Sequence, residues 1–411
     1  MKKDSPWHNK TLLTLCFGEL LLAIGFGFIS PILPKFVTAL GAAPTQIGIM
    51  VGLAITAHGI ARVIMDLPAG KLAHHFGRRP LLILGPALMA IATLGCGLAM
   101  EYWQLLVFCL LQGLGSAIYN VTFIIVICEI STLSNRGQYL SLDWGAWLIG
   151  ASLGPTLGGF VGEYLGYRAP FFCYAGLALL ATVWLYFRIP ETKKTQLADI
   201  PQALNDSPPQ PNSAKKAAFS YKNLNFVLIC LIGFLTLFTL SGNQLTLTPL
   251  LGYERLSLRE GQVGLILTLV AVMQCAFVFP AGRLSDKLGR KTIIVSGGII
   301  SALALILFTQ SYSYHLALLS AAVLGVGRGF SGPVTSAYVG DIASPQDYEH
   351  TIALYRTISD LGFVAGPILL GWLKDIRGLD FPFFLSAGLL LGAIILFATL
   401  ADETVRRSKS P

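Results

Sequence analysis

The chain has 411 residues, 54% of them hydrophobic and only 12% charged. Soluble domains carry about 25% charged residues, so this composition excludes an ordinary soluble enzyme and describes a polytopic membrane protein. The net charge of +8 does not point to nucleic acid, because Lys and Arg cluster in short loops between apolar runs, as topology signals do.

Allowing about 20 apolar residues per span, the sequence predicts twelve: 11–34, 46–69, 80–100, 104–128, 138–160, 169–188, 223–247, 261–281, 292–310, 314–340, 351–373 and 381–400. The first run is too long for a signal peptide and reads as an uncleaved span. Between spans 6 and 7, Pro201, Pro208, Pro209 and Pro211 mix with Lys193, Lys194, Lys215 and Lys216. That stretch reads as a polar, largely disordered linker. The expected organisation is an N-terminal bundle over 1–190, a cytoplasmic linker over 191–222 and a C-terminal bundle over 223–411. With the N-terminus inside, the outer loops carry only Lys35, Arg168, Arg255, Arg259, Lys374 and Arg377, and most other Lys and Arg fall inside. Both termini are therefore expected in the cytoplasm of a cell that bounds the protein with its inner or plasma membrane.

The two halves repeat at an offset of 212 residues. Gly52 meets Gly264, Gly70 meets Gly282, Arg78 meets Arg290, Gly113 and Gly115 meet Gly325 and Gly327, Glu129 meets Asp341, and Gly154-Pro155 meets Gly366-Pro367. Parallel copies of six spans build a transporter with its site between the halves. The predicted fold is all-α, twelve transmembrane helices in two pseudo-symmetric six-helix bundles. The seven cysteines all fall in apolar runs without CxxC or Cys/His spacing. They read as small buried hydrophobes, with no metal site and no disulfide framework.

Three motifs carry a family resemblance. Gly282 to Lys291 reads Gly-Arg-Leu-Ser-Asp-Lys-Leu-Gly-Arg-Lys and fits the loop pattern G-x-L-[AS]-D-[RK]-x-G-R-[RK]; Gly70 to Arg79 fits it except that His74 replaces the aspartate. Gly150 to Gly159 in span 5 fits G-x-x-x-G-P-x-x-G-G, and Gln112 to Gly115 lies in a fourth-span motif. Over essentially its whole length the chain resembles the major facilitator superfamily, and its span 5 motif resembles that of the drug/proton antiporters. Cys109 stands where that branch usually has an arginine tied to proton coupling.

The resemblance implies that the loop motifs lock the cytoplasmic helix ends. It gives one ionic cluster of Asp286, Arg290 and Asp341 and a second of His74, Arg78 and Glu129, the second weakened because histidine is not an aspartate. It also implies that spans 2 and 11 meet between the halves. Arg62 and Asp66 stand four apart on span 2, as do Arg356 and Asp360 on span 11, so each pair shares a helix face. Antiparallel packing would let Arg62 reach Asp360 and Asp66 reach Arg356, a four-charge clasp closing the cytoplasmic side; the alternative is two pairs that merely neutralise each other. Charges inside spans default to function. Asp143, Glu19 and Asp66 are the proton-carrying candidates, since a carboxyl in a low-dielectric setting readily takes a proton. Gly154-Pro155 and Gly366-Pro367 read as flexing points.

For the solute, polar and aromatic residues away from span ends nominate Phe26, Tyr119, Asn120, Phe123, Asn243, Gln244, Gln274 and Tyr338. This mixture suits a small amphipathic organic molecule. No Walker loop, nucleophile elbow or metal cluster appears, so neither enzyme chemistry, a cofactor nor direct ATP drive is expected. The expected function is proton-coupled efflux by alternating access, by a monomer whose partners are solute, protons and lipid bilayer. The alternatives are a proton-coupled uptake symporter or facilitator and, from another class, a non-transporting membrane receptor.

Overall fold

The computed structural model describes residues 9–131, 135–191, 223–343 and 348–404, and among these there is no strand. A bilayer core offers no water to backbone N–H and C=O groups, so each apolar run must satisfy its own as a helix. Helix α1 (Lys10–Ile29) runs through a turn into a short helical stretch, Leu33–Ala39. It is followed by α2 (Ile47–Phe76), α3 (Arg78–Leu98), α4 (Tyr102–Ile130), α5 (Arg136–Leu165) and α6 (Ala169–Arg188). The second half holds α7 (Leu224–Glu254), α8 (Glu260–Leu288), α9 (Arg290–Thr309), α10 (Tyr314–Ile342), α11 (Tyr348–Arg377) and α12 (Asp380–Leu400). The expected linker falls almost wholly on 192–222, outside the described residues.

Eleven of these helices are long and apolar enough to cross a membrane. The other, α5, is as long at 30 residues but spends much of its length on glycine, which packs closely and adds little hydrophobicity. Several helices overrun their apolar stretches. Helix α2 continues to Phe76 and α8 to Leu288, where Gly77 and Gly289 reverse the chain at φ 95° and 101°. An L side chain resists that backbone region, which explains the glycine at both copies of the loop.

The duplication is visible in the packing. Helix α1 packs on α5 and α6, α3 on α4 and α6, and α2 on α4; in the second half α7 packs on α11 and α12, α9 on α10 and α12, and α8 on α10. Glycines set the closest approaches. Gly150, Gly154 and Gly158 of α5 lie against Leu20 to Phe28 of α1, and their counterparts Gly362 and Gly366 of α11 lie against Phe234 and Phe238 of α7. Pro155 and Pro367 sit within these same helices. The fold is thus two pseudo-symmetric helical bundles.

Two seams join the bundles: α2 against α11, and α5 against α8. Helix α7 departs from regular geometry at Leu240–Leu247, a π-helical stretch holding Asn243 and Gln244. Wide turns of this kind gather at functional sites.

Candidate functional site

The bundles have two ends. The latch end carries Gly77 and Gly289; the far end carries the start of α2 and the end of α11. Between described residues, the hydrogen bonds and ion pairs that cross the bundles run from mid-depth to the far end.

At mid-depth, Thr56 donates to the Val364 carbonyl at 2.8 Å, and Thr268 binds Thr156 and the Ser152 carbonyl, both at 2.7 Å. Ser30 donates to the Leu245 carbonyl of the π-helical stretch at 3.5 Å. At the far end, Asp375 of α11 accepts from the backbone N–H groups of Gly48 and Ile49 at 3.0 and 2.8 Å, and Glu163 of α5 accepts from Gly261 at 3.2 Å. Each carboxylate caps the first turn of a helix in the other bundle, where free N–H groups and the helix dipole favour an anion. Asp375 lies 212 residues after Glu163, and Gly261 lies 212 after Ile49, so the two caps are equivalents. Lys35 adds an ion pair to Glu260 at 2.6 Å, and Tyr253 donates to the Pro31 carbonyl.

Glycine makes this closure possible. A Cβ on Gly52 would run into the backbone of Pro367, and one on Gly264 into the backbone of Pro155. The Gly-Pro pairs singled out in the sequence therefore lie on the seams between bundles as well as within each bundle.

Toward the latch end no hydrogen bond or ion pair between described residues joins the same helices. Ile64 and Leu67 of α2 are 66% and 83% exposed, and Arg356 of α11 is exposed. Arg62, Asp66, Arg356 and Asp360 join no ion pair among the described residues. They are near enough to interact as charges, since Arg62, Asp360 and Arg356 all act on Asp66. Glu19 of α1 is buried at 7% exposure, with Asp143 and Arg62 as its charged neighbours. Arg356, from the other bundle, acts on Asp143. The two carboxyls that lacked a partner in the sequence are thus neighbours, facing one arginine from each half.

The latch motifs have separate geometry. Arg290 pairs with Asp286 at 2.8 Å and with Asp341 at 3.3 Å. Arg78 pairs with Glu129 at 2.7 Å and donates to the Ala73 carbonyl at 3.2 Å, while His74 is exposed and joins neither partner among the described residues. Two acids the sequence reading missed complete these turns. Glu191 accepts from the N–H groups of Arg78 and Arg79, and Glu403 from those of Arg290 and Lys291, at 2.8 to 3.2 Å. They too are 212 residues apart, and that offset is the signal that would have found them.

The solute candidates divide. Phe26 faces a pocket with His58, Cys109, Gln112 and Leu245, its ring centroid 5.7 Å from that of His58. His58, unremarked in the sequence, has a buried Nδ1 without a partner among the described residues. Asn243 is fully buried and neither side-chain polar atom is bonded there. Gln244 accepts from Arg328, a buried arginine of α10. Gln274 is half-buried, and Asn120 donates back to Ser116 at 2.9 Å. Tyr119 and Phe123 belong to the core of the first bundle; Tyr338 belongs to that of the second, its hydroxyl held by the Asp402 carbonyl at 2.7 Å. Among the described residues no cluster of three or more His, Cys, Asp or Glu could hold a metal.

Comparison with known proteins agrees with this architecture. The chain is 25% identical over 391 residues to multidrug resistance protein 2 of Bacillus subtilis, covering 95% of the chain and 94% of the relative. It is 25% identical over 386 residues to an uncharacterised MFS-type transporter of Methanocaldococcus jannaschii, covering 92% and 95%. A D-xylose–proton symporter shares the fold with a TM-score of 0.77 at 17% identity, covering 96% of this chain and 98% of the other. The family model described as Major Facilitator Superfamily matches residues 15–260 and 229–411. The chain therefore belongs to the Major Facilitator Superfamily, and it is a multi-pass membrane transporter, not an enzyme.

Proposed function

We propose that the protein exports a small amphipathic organic solute by alternating access, coupled to protons, with the latch end and both termini in the cytoplasm. The observation that carries this reading is the contrast along the seams. The bundles are bonded from mid-depth to the far end and, among the described residues, carry no such bond toward the latch end, where Glu19 and Asp143 face Arg62 and Arg356. Intramembrane carboxyls of this kind mark proton relays. Efflux is favoured by the likeness to a multidrug resistance protein across 95% of the chain.

In this reading the bundles over 1–190 and 223–411 rock about the seams, joined by the linker over 191–222, and a monomer suffices. Asp375 and Glu163 hold the outer gate. Arg62, Asp66, Arg356 and Asp360 approach to form the inner clasp when the outer gate opens. The two latch clusters stiffen the cytoplasmic turns. Phe26, His58 and the π-helical stretch border the solute path.

Transport into everted membrane vesicles, with and without an imposed pH gradient, tests the proposal. Solute should accumulate only when the vesicle interior is acidic. Asp143→Asn should abolish that dependence while leaving downhill solute exchange. Equilibration of solute without accumulation, indifferent to the gradient, in the unaltered protein would make it a facilitator. Accumulation in right-side-out vesicles instead would make it an uptake symporter.

A further inference from the structure

Arg328 lies at mid-length in α10 and is 4% exposed. Its Nη1 donates to Oε1 of Gln244, and its Nη2 is buried with no partner among the described residues. No carboxylate there pairs with it, and no other charge acts on it. Gln244 is neutral, so it fixes the guanidinium without cancelling its charge. An uncompensated arginine inside a membrane is costly to keep, and such residues mark ligand or ion sites.

Beside Arg328 lies a small cavity of about 10 Å³, lined by Thr236 and Thr239 of α7, Ser301 of α9 and Ser331 of α10 and by the apolar Leu390 and Ile394. Each of those hydroxyls already donates to a carbonyl of its own helix, which leaves Arg328 as the donor to an occupant. That volume holds about one water, so a larger anion enters only as the lining gives way. With one guanidinium and no second cation in the lining, the site matches one negative charge. Guanidinium is also the cation best shaped for a carboxylate, because its N–H groups form a fork.

We infer that Arg328 is the anchor of an anion site in the second bundle, which takes one small monoanionic group: a free halide or formate-sized anion, or the carboxylate of the transported solute. Gln244 acts as its positioning residue. Because Gln244 sits in the π-helical stretch whose Leu245 carbonyl is bonded to Ser30 of the first bundle, an anion that draws Arg328 away from Gln244 would also be felt at the seam. The solute form of the site rests on the export reading; the free-anion form does not.

The test is thermal stability of purified protein in detergent, titrated at constant ionic strength against gluconate as a bulky reference anion. The added probes are chloride, formate, and 2-naphthoate beside its uncharged methyl ester. A ligand that binds the folded state raises apparent stability saturably. Saturable stabilisation by chloride and formate means a free-anion site. Stabilisation by 2-naphthoate, with neither small anion nor the ester effective, means that the solute supplies the carboxylate. In either case Arg328→Gln should weaken the response about tenfold or more, since a hydrogen bond to a charged group is worth that much. Arg328→Lys should retain part of it, and this second variant guards against a folding defect in the first. Absence of any anion-specific shift in the unaltered protein, or an equal shift in Arg328→Gln, overturns the inference. Vesicle transport fails or succeeds separately, so loss of the export reading would not be mistaken for loss of the site.

Discussion

The two ends of the seams differ in how they use charge. At the far end Asp375 and Glu163 are spent on backbone N–H groups of the opposite bundle, and glycines let the helices touch. Toward the latch end α2 and α11 carry four charges that join no ion pair among the described residues, and Ile64 between two of them is exposed. Closure at one end rests on backbone contacts that any bulk would break. At the other end it awaits side chains that can reach across when the bundles turn. A transporter needs this difference, because a ligand or proton can shift only an equilibrium whose two states hold different contacts.

Bulk at the glycines should break the comparison most strongly. Gly52→Val combined with Gly264→Val sets Cβ atoms against the backbones of Pro367 and Pro155. Overpacking costs about 1–3 kcal/mol per site, which together disfavours far-end closure about a hundredfold. Cysteine labelling near Gly41 should become constitutive and transport should stop. Next comes Arg78→Ala, which removes an ion-pair partner of a Glu129 side chain only 8% exposed. Breaking a buried pair costs about 3 kcal/mol. Arg290→Ala should cost about 1 kcal/mol or less, because Asp286 is 64% exposed. Melting temperatures in detergent will rank the two.

Smaller effects sharpen the picture. Asp375→Asn with Glu163→Gln keeps acceptor oxygens but removes two cap charges, each worth about 0.3–1 kcal/mol. The far end should open several-fold more often, read by the same labelling, without a comparable loss of melting temperature. His74→Asp restores a carboxylate beside Arg78 at an exposed position and should raise stability by no more than about 0.5 kcal/mol. A larger gain would mean that the first latch lacks more than this one charge.

Much of this was legible in the residues. Hydropathy and the 212-residue offset foretold helices, halves and pairings, because a membrane leaves helix as the backbone's only choice and duplication repeats its packing. Arg290 with Asp341, and Arg78 with Glu129, followed from one offset. The same offset, carried further, would have reached Glu191 with Glu403 and Glu163 with Asp375, whose partners are backbone groups that no side-chain motif announces. Tyr119, Phe123 and Tyr338 were nominated for the solute path but lie in cores, since helical spacing puts an aromatic on a face without saying which face meets a cavity. The π-helical turn of α7 left only Asn243 and Gln244 as a trace. Arg328 was visible as a charge in a span, but its isolation depends on what three other helices fail to bring near it.

The far-end caps have a further meaning. Residue 163 of one copy binds the helix start at 261 in the other, and the equivalent of 163 binds the equivalent of 261 in return. This reciprocity is the signature of an isologous two-fold interface. The Lys35–Glu260 pair breaks it, because the residues 212 positions away from each, Leu247 and Gly48, carry no charge. The chain thus contains a homodimer's contact surface folded into a single molecule, with asymmetric bonds such as this written over it.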